Sequence, residues 1–235
     1  MRILMNLLIV FLMVSCTHEG KHQVNVSYAG ALKNMMSGDI SKKIKIDTIT
    51  NKTNLYALGA YQDLEGEIQI FNGVALNSKV INNQLMLNDS LNVAASLLVY
   101  ANIPDWSESV SVSFASKSAL ESLIIDTAIK SGLDIEKPIP FLLEGDSFQI
   151  DWHVIDWDKD DTIHTHKKHQ KSGLNGTVNN RNASVLGFYS NKHKAIFTHH
   201  STTIHMHFKT EDNLLAGHVD GIAIKGNVTL KLPKK

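Results

Sequence analysis

From Phe148 onward the chain repeats one device. The runs "FQIDWHVIDW", "SVLGFYS", "AIFTHH", "TIHMHFKT", "LAGHVDGIAI" and "NVTLKLP" are short, largely alternating in polarity and separated by polar breaks. A period of two places every second side chain on one face of a strand, so each run reads as a strand with one apolar face. Strands this short, at about ten-residue spacing, imply an antiparallel sheet or barrel.

The stretch Thr202–Gly221, "TTIHMHFKTEDNLLAGHVDG", carries the chemistry of this half. His205 and His207 project to one face, and Met206 and Phe208 to the other. A two-residue turn at Asp212-Asn213 sets His207 opposite His218 on the returning strand. Directly opposed Cβ atoms lie roughly 4.5–5.5 Å apart. The three imidazoles then fall within reach of one ion. Three His ligands with an open position are the pattern of a catalytic zinc site, and neutral imidazole also suits other divalent transition metals. The alternative is three unrelated histidines on a solvated sheet face. A cupin-like series, His205, His207, Glu211 and Gly217, comes close as well. Its Glu-to-Gly interval is one residue short, His199 stands where that pattern has Gly, and Glu211 belongs to the turn, pointing away from the trio.

The first half mixes element types. "AGALKNMMSGDI" (29–40) reads as a short helix, "EIQIF" as a strand, Asn72-Gly73 as a hairpin turn and "VALNSKVI" as the return. "DSLNVAASLLVYANI" fits strand or helix, and "SVSVSFAS" alternates as a strand. "SALESLIIDTAIKSGL" is the clearest helix, with Ser118 and Glu121 at capping-box spacing, Leu120, Leu123, Ile124, Ala128 and Ile129 on one face, and Gly132 as its stop. Pro138 and Pro140 break the chain after it. The fold class is therefore α+β: an N-terminal mixed sheet with helices (28–140), then a C-terminal antiparallel sheet or barrel (141–235) carrying the metal site.

Lysines and arginines equal the acidic residues at 23 each, which gives no electrostatic reason to bind nucleic acid or an anionic membrane. Residues 1–16 form an Arg-led apolar run ending at Ser15-Cys16, too short to be a comfortable transmembrane helix. The pattern is that of a bacterial lipoprotein signal with Cys16 as the lipidation site; an ordinary cleaved signal peptide is the alternative. The expectation is an exported protein, anchored in the cell envelope by lipid alone, with 17–27 as a polar tether. Cys16 is the single cysteine, so no intrachain disulfide supports the fold.

Two segments resemble the α-acetolactate decarboxylase family. "GAYQDLEGEIQIFNG" (59–73) is similar to its G-T-F-x-x-L-D-G-E segment, and "IHMHFKTEDNLLAGHV" (204–219) to its H-L-H-F…ED…GGH segment. "SVLGFYS" also looks like the family's strand leading to the metal site. The resemblance implies metal binding by His205, His207 and His218, an acidic residue of the site at Glu67, conversion of acetolactate or a related 2-hydroxy-3-oxo acid to acetoin or its analogue, and a possible homodimer. Loss of CO₂ leaves charge that a divalent ion stabilises, and a positioned acid must then protonate carbon. Glu67 is the candidate acid, with an exposed strand residue as the alternative. The family's Arg before a V-P pair has no counterpart in "HTHKKHQKSG", nor has its second acidic residue beyond Gly221. His166 is a second candidate for catalysis, and His164, His169 and His199 are candidates for substrate binding, protonated histidine replacing the missing Arg. A second metal site at His164–His169 or a plain polar loop would explain the same cluster. His199 and His200, if extended, oppose one another, so at most one faces the site. Competing functions are a metal-binding exported lipoprotein without activity and a cupin-like metalloenzyme.

Overall fold

A computed structural model describes residues 23–235 except Lys225. The signal, with Cys16, lies outside these residues. Of the expected tether, Gln23 bonds to Asp134 and Pro138, Val24 and Val26 pack into the core, and Ser27 enters a strand, so this part is built into the fold.

Two antiparallel sheets face each other. The first holds β1 (Ser27–Ala29), β2 (Ile44–Lys45), β3 (Leu55–Tyr61), β4 (Glu67–Phe71), β5 (Val74–Ala75), β6 (Asn77–Ile81), β7 (Gln84–Asn88) and β8 (Ala94–Asn102), ordered β1-β8-β3-β4-β6-β7 with β2 on β8 and β5 on β4. A mixed sheet was expected here; its strand pairings are all antiparallel, because successive strands join by tight turns such as Asn72-Gly73. The ambiguous segment around Val99 is strand. The second sheet holds β9 (Val110–Val112), β10 (Ile139–Val154), β11 (Leu174–Tyr189), β12 (Ile204–Thr210), β13 (Ala216–Ile224) and β14 (Val228–Lys231). Its β10, β11, β12 and β13 pair in a closed ring, and β14 and β9 extend from β10. The expected strand "AIFTHH" is instead a compact turn, held by bonds from Ile196, Phe197 and Thr198 N–H to the His193 carbonyl.

Helices α1 (Leu32–Met35), α2 (Lys117–Lys130) and α3 (His166–Ser172) complete the described chain. Helix α2 begins two residues earlier than its sequence suggested. Ser116, not Ser118, caps it by accepting from Ala119 N–H, and Glu121 turns away to accept from Thr203 N–H. Leu120, Ile124 and Ala128 form its buried stripe, whereas Ile129 is 56% exposed. It ends where Gly132 adopts φ +70°, letting Gly132 and Leu133 N–H cap the Ile129 and Ala128 carbonyls. By its contacts α2 belongs with β9 and the ring, so the second body starts ahead of the division expected at residue 140.

Strand alternation sorts the core into layers. Phe141, Leu143, Val185, Met206, Phe208 and Val219 fill the inside of the ring under α2. Leu142, Leu186 and Phe188 point the other way, against Tyr56, Leu58, Leu97 and Val99 of the first sheet. Ile68 and Ile70 of β4 join a third cluster on the first sheet's far side, which leaves Glu67 and Gln69 facing the ring. All of β4 is buried, so Glu67 is no exposed strand residue. Gly187 sits directly opposite Phe141, and a Cβ there would overlap the aromatic ring. Gly187→Ala is expected to destabilise the protein by about 1–3 kcal/mol, the usual range for overpacking. Chemical denaturation checks this through a lower midpoint at unchanged slope; an unchanged midpoint contradicts it.

Candidate metal centre

The register expected for the β12–β13 hairpin is the one formed. His207 pairs with His218, Phe208 with Gly217 and Lys209 with Ala216. Ligand atoms of His205, His207 and His218 all lie within 4.8 Å of one another. Glu211 remains at the turn, exposed and bonded to Asn182 Nδ2 at 2.7 Å, far from a fourth ligand's place; this removes the cupin-like reading.

Next in line across the sheet stands His153, paired with His218 on β10. The strand was legible, but its histidine was not connected to the site, since the β10–β13 pairing spans a long stretch of chain. Its signal is the alternation in "FQIDWH", which sets His153 opposite the apolar face of Phe148 and Ile150. Asp220 was missed as well. At this residue β13 carries a bulge: Trp152 pairs with Val219 and Asp151 with Gly221, leaving Asp220 unpaired in the ladder. Because of that bulge Val219, Ile222 and Ile224 all reach the ring core while His218 and Asp220 share the site face.

Each group is held by a partner. Gln69 donates its amide N–H groups to the Leu76 carbonyl and to Ser78 Oγ (3.2 Å). Its Oε1 is thus left to accept from His207 Nδ1 at 3.0 Å. That bond fixes the proton of His207 on Nδ1 and turns a lone pair on Nε2 into the site. His207 Nε2 lies 3.3 Å from His205 Nε2. Two nitrogens each 2.0–2.1 Å from a tetrahedral ion stand about 3.3 Å apart, so this spacing is that of two ligands of one metal. Burial holds His205 and His207 well below the usual histidine range and His218 down to about 4, so all three are neutral and able to coordinate. The residues therefore fit a divalent metal. Asp220 is braced by His153 Nδ1 and Gln170 Nε2, both at 2.8 Å. Burial raises the Asp220 pKa, but the bonds from His153 and His218 outweigh it and keep the carboxylate charged.

Glu67 enters from the opposite sheet. It is 3% exposed, with Oε2 3.8 Å from His207 Nε2 and Oε1 3.7 Å from His153 Nε2. Burial pushes its pKa up to about 8, against the pull of the His153 charge and the Ile155 N–H bond. Burial also lowers the His153 pKa, yet the Asp220 bond and the Glu67 charge raise it overall. An acid and a base thus stand side by side next to the imidazole trio.

Glu67, His153, His205, His218 and Asp220 line a cavity of about 300 Å³ between the sheets. Leu32, Met35, Leu97, Ile155 and Phe197 make its apolar wall; Lys117, His166, His169 and His199 contribute polar groups. His164 does not reach the cavity: it stacks on Trp157 at 4.5 Å and bonds His169 Nε2 at 2.9 Å. Burial takes His169 and His199 down to about 4 and lowers His166, which opposes binding a carboxylate through protonated histidine. The stretch that reads as a polar loop in the sequence is helical from His166 to Ser172. Among the described residues, three-ligand metal spacing occurs in two groups, His205-His207-His218 and His153-His218-Asp220, and the His164–His169 cluster is not one of them. His199 and His200 lie in a turn rather than a strand, with rings 3.9 Å apart instead of opposed.

An α+β protein of two facing antiparallel sheets, with a candidate metal centre between them, is what fold and site define. Its fold is that of α-acetolactate decarboxylase. A Staphylococcus aureus protein of unknown function, similar to alpha-acetolactate decarboxylase, matches over 89% of this chain and 85% of its own, with TM-score 0.71 and 13% identity. The alpha-acetolactate decarboxylase of Bacillus subtilis strain 168 matches over 89% and 85%, with TM-score 0.70 and 12% identity. The acetolactate decarboxylase of Bacillus subtilis subspecies spizizenii matches over 89% and 86%, with TM-score 0.71 and 12% identity. No protein-family model and no curated protein matches the chain.

Gln69→Leu is expected to weaken metal binding roughly 10–100-fold while leaving the fold intact, the usual effect of removing a ligand's hydrogen-bond partner. Competition with a chelator of known affinity measures it; wild-type affinity would show that Gln69 does not orient His207.

Proposed function

We propose that the protein is a divergent member of the α-acetolactate decarboxylase family, a metal-dependent carboxy-lyase acting on a small 2-hydroxy-3-oxo acid, with acetolactate to acetoin as its reference reaction. The observation carrying this reading is the convergence of three neutral imidazoles and the Glu67 carboxyl, from opposite sheets, beside a cavity that Glu67, His205 and His218 line. Zinc or another divalent transition metal, held by His205, His207 and His218, would supply Lewis-acid stabilisation of the charge that develops as CO₂ leaves.

The chain's own groups handle binding and the proton. The apolar wall of Leu97, Ile155 and Phe197 receives the substrate's alkyl groups and excludes water. The bond from the carboxylate to C2 breaks, and its electron pair passes toward the neighbouring carbonyl. The pair then returns to C2 as Glu67, whose pKa burial pushes up to about 8 in the metal-free protein, gives its proton to C2 and the new C–H bond closes. His153, adjacent at 3.7 Å and steadied by Asp220, returns a proton to Glu67. His166 then serves as a wall of the substrate chamber, and proton transfer falls to Glu67 and His153. The two metal-spaced clusters share His218 and so would hold one ion between them, which favours an enzyme over a carrier of several ions. With Cys16 lipidated, the activity would be exported and tied to the envelope, and the active unit would be a homodimer.

Release of acetoin from racemic acetolactate tests the reading. Wild-type protein loaded with metal is expected to turn over, and His207→Ala to lose both metal and turnover. Glu67→Gln is expected to keep the metal and lower kcat about 10²–10⁴-fold, the range for a positioned proton donor. An unchanged rate in Glu67→Gln removes Glu67 from the chemistry, and no turnover by loaded wild-type protein overturns the assignment.

A further inference from the structure

The substrate class proposed above carries a carboxylate, and the cavity must hold it in a fixed direction for CO₂ to leave. The histidines are poor anchors: His205 and His218 belong to the imidazole trio, His153 is bonded to Asp220, and burial lowers the pKa of His169 and His199. Among the lining residues one side chain is an amine, Lys117. It forms no ion pair and no hydrogen bond among the described residues. The acids nearest in its field are already engaged. Asp220 is bonded by His153 and Gln170, and Glu121 accepts from Thr203 N–H. Lys117 lines the same cavity as His166, His199, His205 and His218.

Local structure offers no reason for a lysine here. Lys117 is the first residue of α2, where a cation opposes the helix dipole, and no acidic residue accompanies it in the first turn. Burial lowers its pKa against the attraction of Asp220 and Glu121, and neither of those carboxylates bonds it.

We infer that Lys117 is the carboxylate anchor of the substrate chamber, positioning a 2-hydroxy-3-oxo acid with its carboxylate at the α2 end and its alkyl groups against Leu97 and Phe197. The inference rests on the proposed lyase reading for the identity of the acid. It rests on the cavity alone for the preference for an anion. Lys117 thereby takes the place of the Arg that "HTHKKHQKSG" lacks, from a different element of the fold.

The test compares wild-type protein, Lys117→Met and Lys117→Arg, each loaded with metal and checked for equal metal content. For turnover of acetolactate, Lys117→Met is expected to raise KM roughly ten- to hundredfold, as for loss of a charge-assisted bond, with Lys117→Arg recovering much of it. In parallel, binding of 2-hydroxy-2-methylbutyrate, an unreactive hydroxy acid, and of acetoin, which lacks the carboxylate, is measured by calorimetry. Hydroxy-acid affinity is expected to fall with the same factor in Lys117→Met, and acetoin affinity to stay. Turnover by wild type with unchanged KM in Lys117→Met overturns the anchor and leaves the lyase reading standing. No turnover in wild type, with Lys117-dependent binding of the hydroxy acid, overturns the lyase reading and keeps the anchor. Equal loss of hydroxy-acid and acetoin binding in Lys117→Met assigns Lys117 to packing and overturns the anchor.

Discussion

The alignment of His207 with His218 across two neighbouring strands is the contact on which the site depends. A shift of one residue in that hairpin would send His205 and His207 into the ring core and expel Met206 and Phe208. The buried methionine and phenylalanine therefore hold the register that points the imidazoles outward. The β10–β13 pairing extends the row to His153, and the bulge at Asp220 adds a carboxylate without disturbing Val219 or Ile222 in the core. One apolar face thus fixes the polar face behind it.

Burying so many ionisable groups requires that each be neutral or paired. The trio is neutral. Asp220 is charged and takes hydrogen bonds from His153 and Gln170. Glu67 is protonated near neutral pH in the metal-free state, because burial outweighs the neighbouring charges. Lys117 is the member without a protein counter-ion, so the chamber prefers a ligand that brings a negative charge. A small acid with an apolar tail matches both ends of the space.

Much of this was legible in the amino-acid order where contacts are local. The H-x-H run and its opposing His share a hairpin, so turn chemistry and period alone give their geometry. The helix around Ile124 and the strands around Ile70 and Leu230 follow from periodicity in the same way. What escaped detection depends on distant pairing or on loop geometry. His153 joins the site through a strand pairing that spans residues 153 to 218. Gln69 looked like one alternating polar residue among others until β4 faced the ring. The cap at Ser116 was displaced from Ser118 because Glu121 is drawn off to Thr203. In "AIFTHH" the adjacent histidines suggested opposed side chains, but bonds to the His193 carbonyl curl the segment into a turn. The segment after Asp161 reads as a polar loop, whereas Thr165 caps a helix there that carries His169 into the cavity wall.

The measurement that bears most directly on the central claim is metal stoichiometry combined with X-ray absorption on protein reconstituted and freed of loose ions. The account predicts one divalent transition metal per chain, with imidazole scattering from three nitrogen ligands that is lost in His218→Ala. Tight binding of two or more ions, or one ion retained undisturbed in His218→Ala, would contradict it.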